Sequence, residues 1–263
     1  MKFIKKVASV GMTFLVVGAF AAPTQPQTPT TLASNNVFTP EQNTAITDQV
    51  KTYLDNNPKA VVDALVSYRQ QELKRMESQA QNAISKNAKE IFQGTNLPTL
   101  GNPEGTTILV EFLDYQCGHC KTMSTTVKNL IGQNKNLKVI VKELPILGEE
   151  SSYAAKVALA ANEQGKFAEV HTALLNNTEK LTNQVVESIA KSQGVDWSKI
   201  ETALQSNLIE KELDQVFAIA QQLNIMGTPA FIISDASGQN NRYFGGAAPQ
   251  ETMQKTINEI SKT

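Results

Sequence analysis

The pattern of apolar and polar positions divides the chain into stretches of different texture. Val7 to Phe20 is a short, mostly apolar run behind Lys2, Lys5 and Lys6, and it closes on Ala19-Phe20-Ala21. A positive flank, an apolar centre and an A-x-A ending predict a signal peptide over residues 1–21, with Ala22-Pro23 as the mature start. An uncleaved N-terminal anchor is the competing reading, but the run falls short of the ~20 residues of a comfortable membrane span. No cysteine follows the run, which argues against a lipid anchor, and no later stretch is apolar enough to cross a bilayer. The expected location is the bacterial periplasm, with surface association left open. Residues 22–38 are rich in Pro, Thr, Gln and Asn and predict a disordered tether.

A helical period begins at Thr39-Pro40-Glu41-Gln42. Thr39 is placed to cap, Pro40 suits the first helical position, and Gln42 completes a capping box. Ile46, Val50, Tyr53 and Leu54 share one face, and Asn56-Asn57-Pro58 interrupts the pattern. A second pattern runs from Pro58 to Gln93 and stops at Gly94, with Val61, Val62, Leu65 and Val66 first and Leu73, Met76, Ala80 and Ala83 later. The last four have coiled-coil spacing, but for only about two heptads. A helix of ~35 residues would reach ~50 Å, and a stripe this narrow does not hold it folded alone. Residues 39–94 are therefore expected to form a helical oligomerisation segment. A solvated spacer, or a helix folded back on its own domain, is the alternative.

From residue 95 strands and helices alternate. Thr106 to Leu113, Leu137 to Leu144, Pro229 to Ser234 and Arg242 to Phe244 read as strands. A helix is expected from the cysteines toward Gly132. Ser151 to Leu223 is helical throughout, with breaks near Gly165, Asn176 and Gly194, and Pro249 to Ile260 closes the chain as a helix. This is an α/β plan with a helical insertion at about 148–223, in a domain spanning 95–263.

Composition narrows the function. The chain has 24 basic and 25 acidic side chains and shows no basic patch, so no nucleic-acid partner is expected. Its two cysteines sit together as Cys117-Gly118-His119-Cys120, which leaves none for a structural bridge elsewhere. A C-x-x-C after a strand and at the start of a helix places the first sulfur among free backbone N–H groups and a partial positive charge. A thiolate there is stabilised. Cys117 is then the exposed sulfur that exchanges with a substrate disulfide, and Cys120 resolves the mixed disulfide. His119 can bring a cationic imidazole to the thiolate, and Gly118 keeps the approach open.

Other uses of the motif fit less well. A structural zinc site needs four ligands, and the chain has two Cys and two His in all, with His171 on a different helix. Haem attachment needs His directly after the second Cys, where Lys121 stands. A purely structural bridge over so short a loop adds little stability. No metal and no cofactor are expected.

Glu111-Phe112-Leu113-Asp114-Tyr115-Gln116 together with Cys117-Gly118-His119-Cys120-Lys121 resembles the active-site segment of DsbA-type thioredoxin-fold proteins. Ser152-Tyr153-Ala154-Ala155 through Gln164-Gly165-Lys166-Phe167, then His171 and Leu174, is similar to the helical insertion of that family. Gly227-Thr228-Pro229-Ala230-Phe231 is similar to its cis-proline loop, and Gly245-Gly246-Ala247 to the end of its last strand. The resemblance covers about residues 95 to 263. It implies a thioredoxin fold with a DsbA-type insertion, a cis Pro229 facing the cysteines, and a Thr228 backbone that pairs with an extended substrate strand. Without those flanking matches, Thr228-Pro229 simply opens a strand. The resemblance also implies that Glu111 lies beneath the disulfide and accepts the proton of Cys120. A structural pair with Lys142 is the alternative, since an acid in an apolar strand needs a partner. His171, on an apolar helix, reads as a packed structural residue.

Oxidase and isomerase signals are mixed. Thr before the cis-proline and an N-terminal oligomerising segment are similar to disulfide isomerases of the DsbC and DsbG type. Gly118-His119 matches the dipeptide of eukaryotic protein disulfide isomerase. The insertion is closer to DsbA and the Com-type antigens, and residues 39–93 resemble the oligomerising segment of copper-resistance ScsC proteins. The expected protein is a periplasmic disulfide oxidoreductase acting as a homo-oligomer, a dimer in the first instance with a trimer also compatible. Its partners are exported proteins with cysteines and a membrane redox partner. The alternative is a non-catalytic, thiol-dependent copper-binding or surface interaction protein on the same fold.

Overall fold

The computed structural model describes residues 37–94 and 96–262. The expected signal peptide, and all of the expected tether except Val37 and Phe38, lie outside the described residues. The described residues form two compact units, divided between Val61 and Val62. In the first, α1 (Pro40–Asn56) begins with the expected capping box. The Gln42 N–H donates to Thr39 Oγ1 at 3.3 Å, and the Thr39 N–H donates to Gln42 Oε1 at 2.8 Å. Its apolar face, Ile46, Val50, Tyr53 and Leu54, is exposed. Helix α2 (Pro58–Lys86) follows and carries the chain into the second unit, where α3 (Ala88–Phe92) ends the helical segment.

The second unit is built on five strands. They are β1 (Thr99–Gly101), β2 (Thr107–Leu113), β3 (Leu137–Glu143), β4 (Ala230–Asp235) and β5 (Asn241–Phe244), in the order β1-β3-β2-β4-β5. Strands β2 and β3 are parallel and joined by α4 (Gly118–Gln133); the other pairs are antiparallel. Between β3 and β4 lie α5 (Glu149–Asn162), α6 (Phe167–Asn176), α7 (Asn183–Ser192), α8 (Trp197–Gln205) and α9 (Leu208–Gln222), and α10 (Gln250–Ile260) closes the chain. Helices cover both sheet faces, which is why β2 is apolar at five of its seven positions, without alternation, and has every residue buried. On one face Leu109, Leu113, Val139 and Val141 pack with α4, α10 and the insertion. On the other, Ile108, Val110, Phe112 and Ile140 pack with Ile84, Ile91, Phe92 and the α9 residues Val216 and Ile219.

The α/β class and the insertion are as expected, with three local differences. Strand β1 is a three-residue edge element, too short for a period. The insertion has a further break, where extended Ser206 (φ −81°, ψ 150°) separates α8 from α9 with no glycine or proline. The expected boundary at residue 94 does not coincide with the division into units, because the end of α2 and α3 bury Ile84, Ile91 and Phe92 against the sheet. That docking is specific. Gln81 Nε2 donates to Asn241 O at 3.2 Å, Ser85 Oγ to Gly238 O at 3.2 Å, and Asn241 Nδ2 to Ser85 Oγ at 3.1 Å. Glu77 and Arg242 form an ion pair beside them. Gly238 (φ +76°) is required here, since a Cβ would come within 2.7 Å of the Ala88 Cβ. Within the coiled-coil-spaced stripe, Ala80 and Ala83 are half-buried and Ala83 packs against this core, whereas Met76 is exposed, as are Val61, Val62, Leu65 and Val66 earlier in α2.

Candidate active site

Cys117 caps α4, with extended backbone (φ −73°, ψ 116°). The segment between β2 and α4 is held by Asp114, whose carboxylate is buried but fully supplied with donors. Oδ1 accepts from the Gln116 N–H at 2.7 Å and Ser151 Oγ at 2.7 Å, and Oδ2 accepts from the Leu147 N–H at 2.9 Å. Gln116 Nε2 reaches Leu147 O and Ser151 Oγ from the same segment. These bonds tie the cysteine loop to the β3–α5 loop. Sequence reasoning missed this clamp. Its only signal was an acid directly between an apolar strand and a helix start.

Opposite Cys117, the Thr228–Pro229 peptide is cis. The Cys117 thiol donates to Thr228 O at 3.1 Å, so α4 and the proline loop meet at this sulfur. Cys117 is 8% exposed and Cys120 is fully buried one turn on; both thiols are free. Burial pushes the Cys117 thiol up, but the Thr228 side chain, Cys120 and the His119 backbone N–H stabilise the thiolate, and the net shift is down. Burial pushes Cys120 up, and the neighbouring Cys117 adds to it. The two sulfurs are thus differentiated, one poised to ionise and one held as a thiol. His119 is exposed; its backbone N–H is the part that supports the thiolate. A Cβ on Gly118 would meet nothing within 4 Å, so the approach is open.

Glu111 is fully buried within β2, its Oε1 has no hydrogen-bond partner, and burial pushes its carboxyl up to about 8. The alternative pairing with Lys142 does not occur. Glu111 faces Val141 in the β2–β3 register and Lys142 faces Phe112, so the two side chains leave opposite faces of the sheet. Lys142 Nζ instead donates to Glu90 O at 3.3 Å. Glu143, two residues beyond Val141, shares the face of Glu111. It accepts the Tyr115 hydroxyl at 2.7 Å, and His171 Nδ1 lies 3.0 Å from the same hydroxyl. His171 is packed as expected, stacked on Phe167 at 5.1 Å between ring centroids, and burial depresses it to about 3. Sequence reasoning did not anticipate its bond to Tyr115. Among the described residues no cluster of three or more His, Cys, Asp or Glu side chains is arranged to hold a metal ion. Among them, too, no helix is long and apolar enough to cross a membrane.

Residues 108–258, more than half of the chain, match the DSBA-like thioredoxin domain. The chain belongs to this family. A thioredoxin-like oxidoreductase from Silicibacter pomeroyi is 33% identical, with a TM-score of 0.63 over 67% of this chain and 99% of its own. Proteus mirabilis ScsC in a transitional conformation is 25% identical, with a TM-score of 0.62 over 88% of this chain and 100% of its own. The thiol:disulfide interchange protein DsbA of Bordetella parapertussis is 26% identical over 54% of this chain and 70% of its own length. A match of 25% identity to the Na(+)/H(+) antiporter NhaA 3 of Salinispora tropica spans only 21% of that protein and 51% of this chain. The DSBA-like chain described here is accordingly a member of a family of disulfide oxidoreductases with a thioredoxin fold.

Proposed function

We propose that this protein is a periplasmic thiol:disulfide oxidoreductase that introduces and rearranges disulfides in exported proteins through Cys117 and Cys120. The observation that carries this reading is the placement of the Cys117 thiol at the start of α4 and 3.1 Å from Thr228 O of the cis-proline loop, with Cys120 buried behind it. In the donating direction a substrate thiolate attacks Cys117 Sγ, the Cys117–Cys120 bond breaks, and Cys120 leaves with a proton from Glu111. A second substrate thiolate then attacks the substrate sulfur of the mixed disulfide and releases the Cys117 thiolate. The substrate loses two electrons and the dithiol gains them, so a membrane redox partner must reoxidise it. Isomerisation uses the same steps, starting from the Cys117 thiolate. Thr228 and Pro229 offer backbone to an extended substrate strand, and Gly118 leaves room for a protein-sized one.

The domain plan that fits is a cleaved signal peptide (1–21), a tether (22–38), a helical oligomerisation segment (39–94) and the thioredoxin-like domain (95–263). The exposed apolar residues of α1 and of the first turns of α2 support self-association, with two copies as the simplest assembly. Trapping tests the chemistry: Cys120→Ser accumulates mixed disulfides through Cys117, and Cys117→Ser abolishes turnover. If neither variant changes oxidase or reductase activity, the reading is wrong. Deletion of residues 39–61, which spares the part of α2 and α3 that packs on the sheet, tests the assembly, because unchanged mass in solution and unchanged refolding of a scrambled substrate would refute its coupling to isomerisation.

A further inference from the structure

The core beneath the dithiol holds more ionisable groups than one proton acceptor requires. Glu111 and Glu143 are both fully buried on the same face of the β2–β3 pair, and each keeps one oxygen, Glu111 Oε1 and Glu143 Oε2, without a partner. Buried polar atoms left unmatched in a native core call for an explanation. Glu143 Oε1, the Tyr115 hydroxyl and His171 Nδ1 form a continuous chain with links of 2.7 and 3.0 Å. A cavity of about 410 Å³, lined by Glu111, His171, Ser124 and Lys128, reaches the buried groups from between α4, α6 and β1. Tyr115 occupies Nδ1, so the nitrogen that His171 has for the cavity is Nε2.

We propose that Glu143, Tyr115 and His171 form a buried proton relay serving Glu111, in which His171 changes tautomer rather than charge as the dithiol is oxidised or reduced. This rests on the redox reading above and deepens it. The protons balance as follows. As Cys120 gives its proton to Glu111 on oxidation, Glu111 passes one on to Glu143 Oε2, the Oε1 proton passes to the Tyr115 oxygen, the Tyr115 proton to His171 Nδ1, and the Nε2 proton leaves into the cavity. The chain keeps three protons and both hydrogen bonds throughout, and only their directions reverse. Reduction runs the same shift inward. A tyrosine hydroxyl, a carboxyl and a neutral imidazole can each donate or accept, which this reversal requires. The charged and titratable groups facing the chain are Glu111 from β2, Asp114 before α4, Cys120 and Lys128 from α4, and Glu212 from α9; Lys142 lies across the sheet. Glu143 and His171 are positioning residues here, since they act through Glu111.

The chain has two histidines, so its ring nitrogens are readable by NMR after 15N-histidine labelling, with a His119→Gln variant to assign them. The full-length protein is poised reduced and then oxidised in glutathione buffers at one pH. The expected result is that the protonated-nitrogen and bare-nitrogen signals of His171 exchange between Nδ1 and Nε2 on oxidation, and that no imidazolium signal appears. Tyr115→Phe and Glu143→Gln, poised at equilibrium in the same reduced and oxidised buffers, are expected to abolish the exchange. A His171 that keeps one tautomer in both states, in a protein whose cysteines cycle normally, overturns the relay and leaves the redox reading intact. Cysteines that do not cycle at all overturn both.

Discussion

Replacing Glu111 with Gln separates the cost of this residue from its use. Burial moves its carboxyl from 4.5 to about 8. Below 4.5 the carboxyl is neutral in folded and unfolded chains alike. Between 4.5 and 8 the unfolded chain ionises and the folded one holds its proton, so stability falls as pH rises. At pH 7 the gap above 4.5 is 2.5 units, and at about 1.36 kcal/mol per unit this is a penalty of about 3 kcal/mol. Glu111→Gln removes it. The pH-independent difference between an amide and a neutral carboxyl shifts the whole curve but not its slope. His171, Glu143 and Glu212 also titrate abnormally, but they are present in both proteins and largely cancel in the comparison. Urea unfolding from pH 4 to 9 is therefore expected to show a variant whose advantage grows from about pH 4.5 and levels off near pH 8. The same variant is expected to resolve mixed disulfides on the order of 10²-fold more slowly at pH 7, the usual loss on removing a positioned acid–base group that trades protons with the reacting thiol. A stability difference independent of pH, or an unchanged resolving rate, would refute the assignment.

The other expected outcomes bear on separate parts of the structure. Gly238→Ala places a methyl against Ala88 and Phe92 at a left-handed position, and thermal melts are expected to show a loss of about 1–3 kcal/mol. His171, buried neutral and depressed from 6.5 to about 3, loses its contribution as pH falls through that window. A His171→Gln variant is accordingly expected to have a flatter acid limb, by up to about 1.4 kcal/mol per pH unit. Asp114→Ala leaves the Gln116 and Leu147 N–H groups and the Ser151 hydroxyl without their acceptor, with an expected cost of ~2–4 kcal/mol and a faster exchange of the Leu147 amide.

Local signals in the chain proved readable. The Thr39–Gln42 capping box, the buried run of β2, the cysteines at a helix start and the turn glycines 165 and 194 each depend on residues a few positions apart, and each was legible. Contacts set by strand register were not. Whether Glu111 meets Lys142 or Glu143 depends on which side of the sheet each leaves, and a strand such as β2, buried on both faces, carries no alternation of apolar and polar positions to reveal it. Tyr115, Glu143 and His171 come from three separate elements, 28 and 56 positions from the tyrosine. The docking of α2 through Ser85 and Asn241 joins groups 156 positions apart, which no helical period encodes. Strand β1 is three residues long and pairs only because β3 offers it an edge.

The most direct test of the central claim is the reduction potential of the Cys117–Cys120 couple, read from glutathione equilibrium on the full-length protein. A Cys117 thiolate stabilised at the start of α4 favours the reduced form and makes the disulfide oxidising. The account expects a value between roughly −120 and −180 mV, the span from DsbA to protein disulfide isomerase. A couple as reducing as thioredoxin, near about −270 mV, would contradict it.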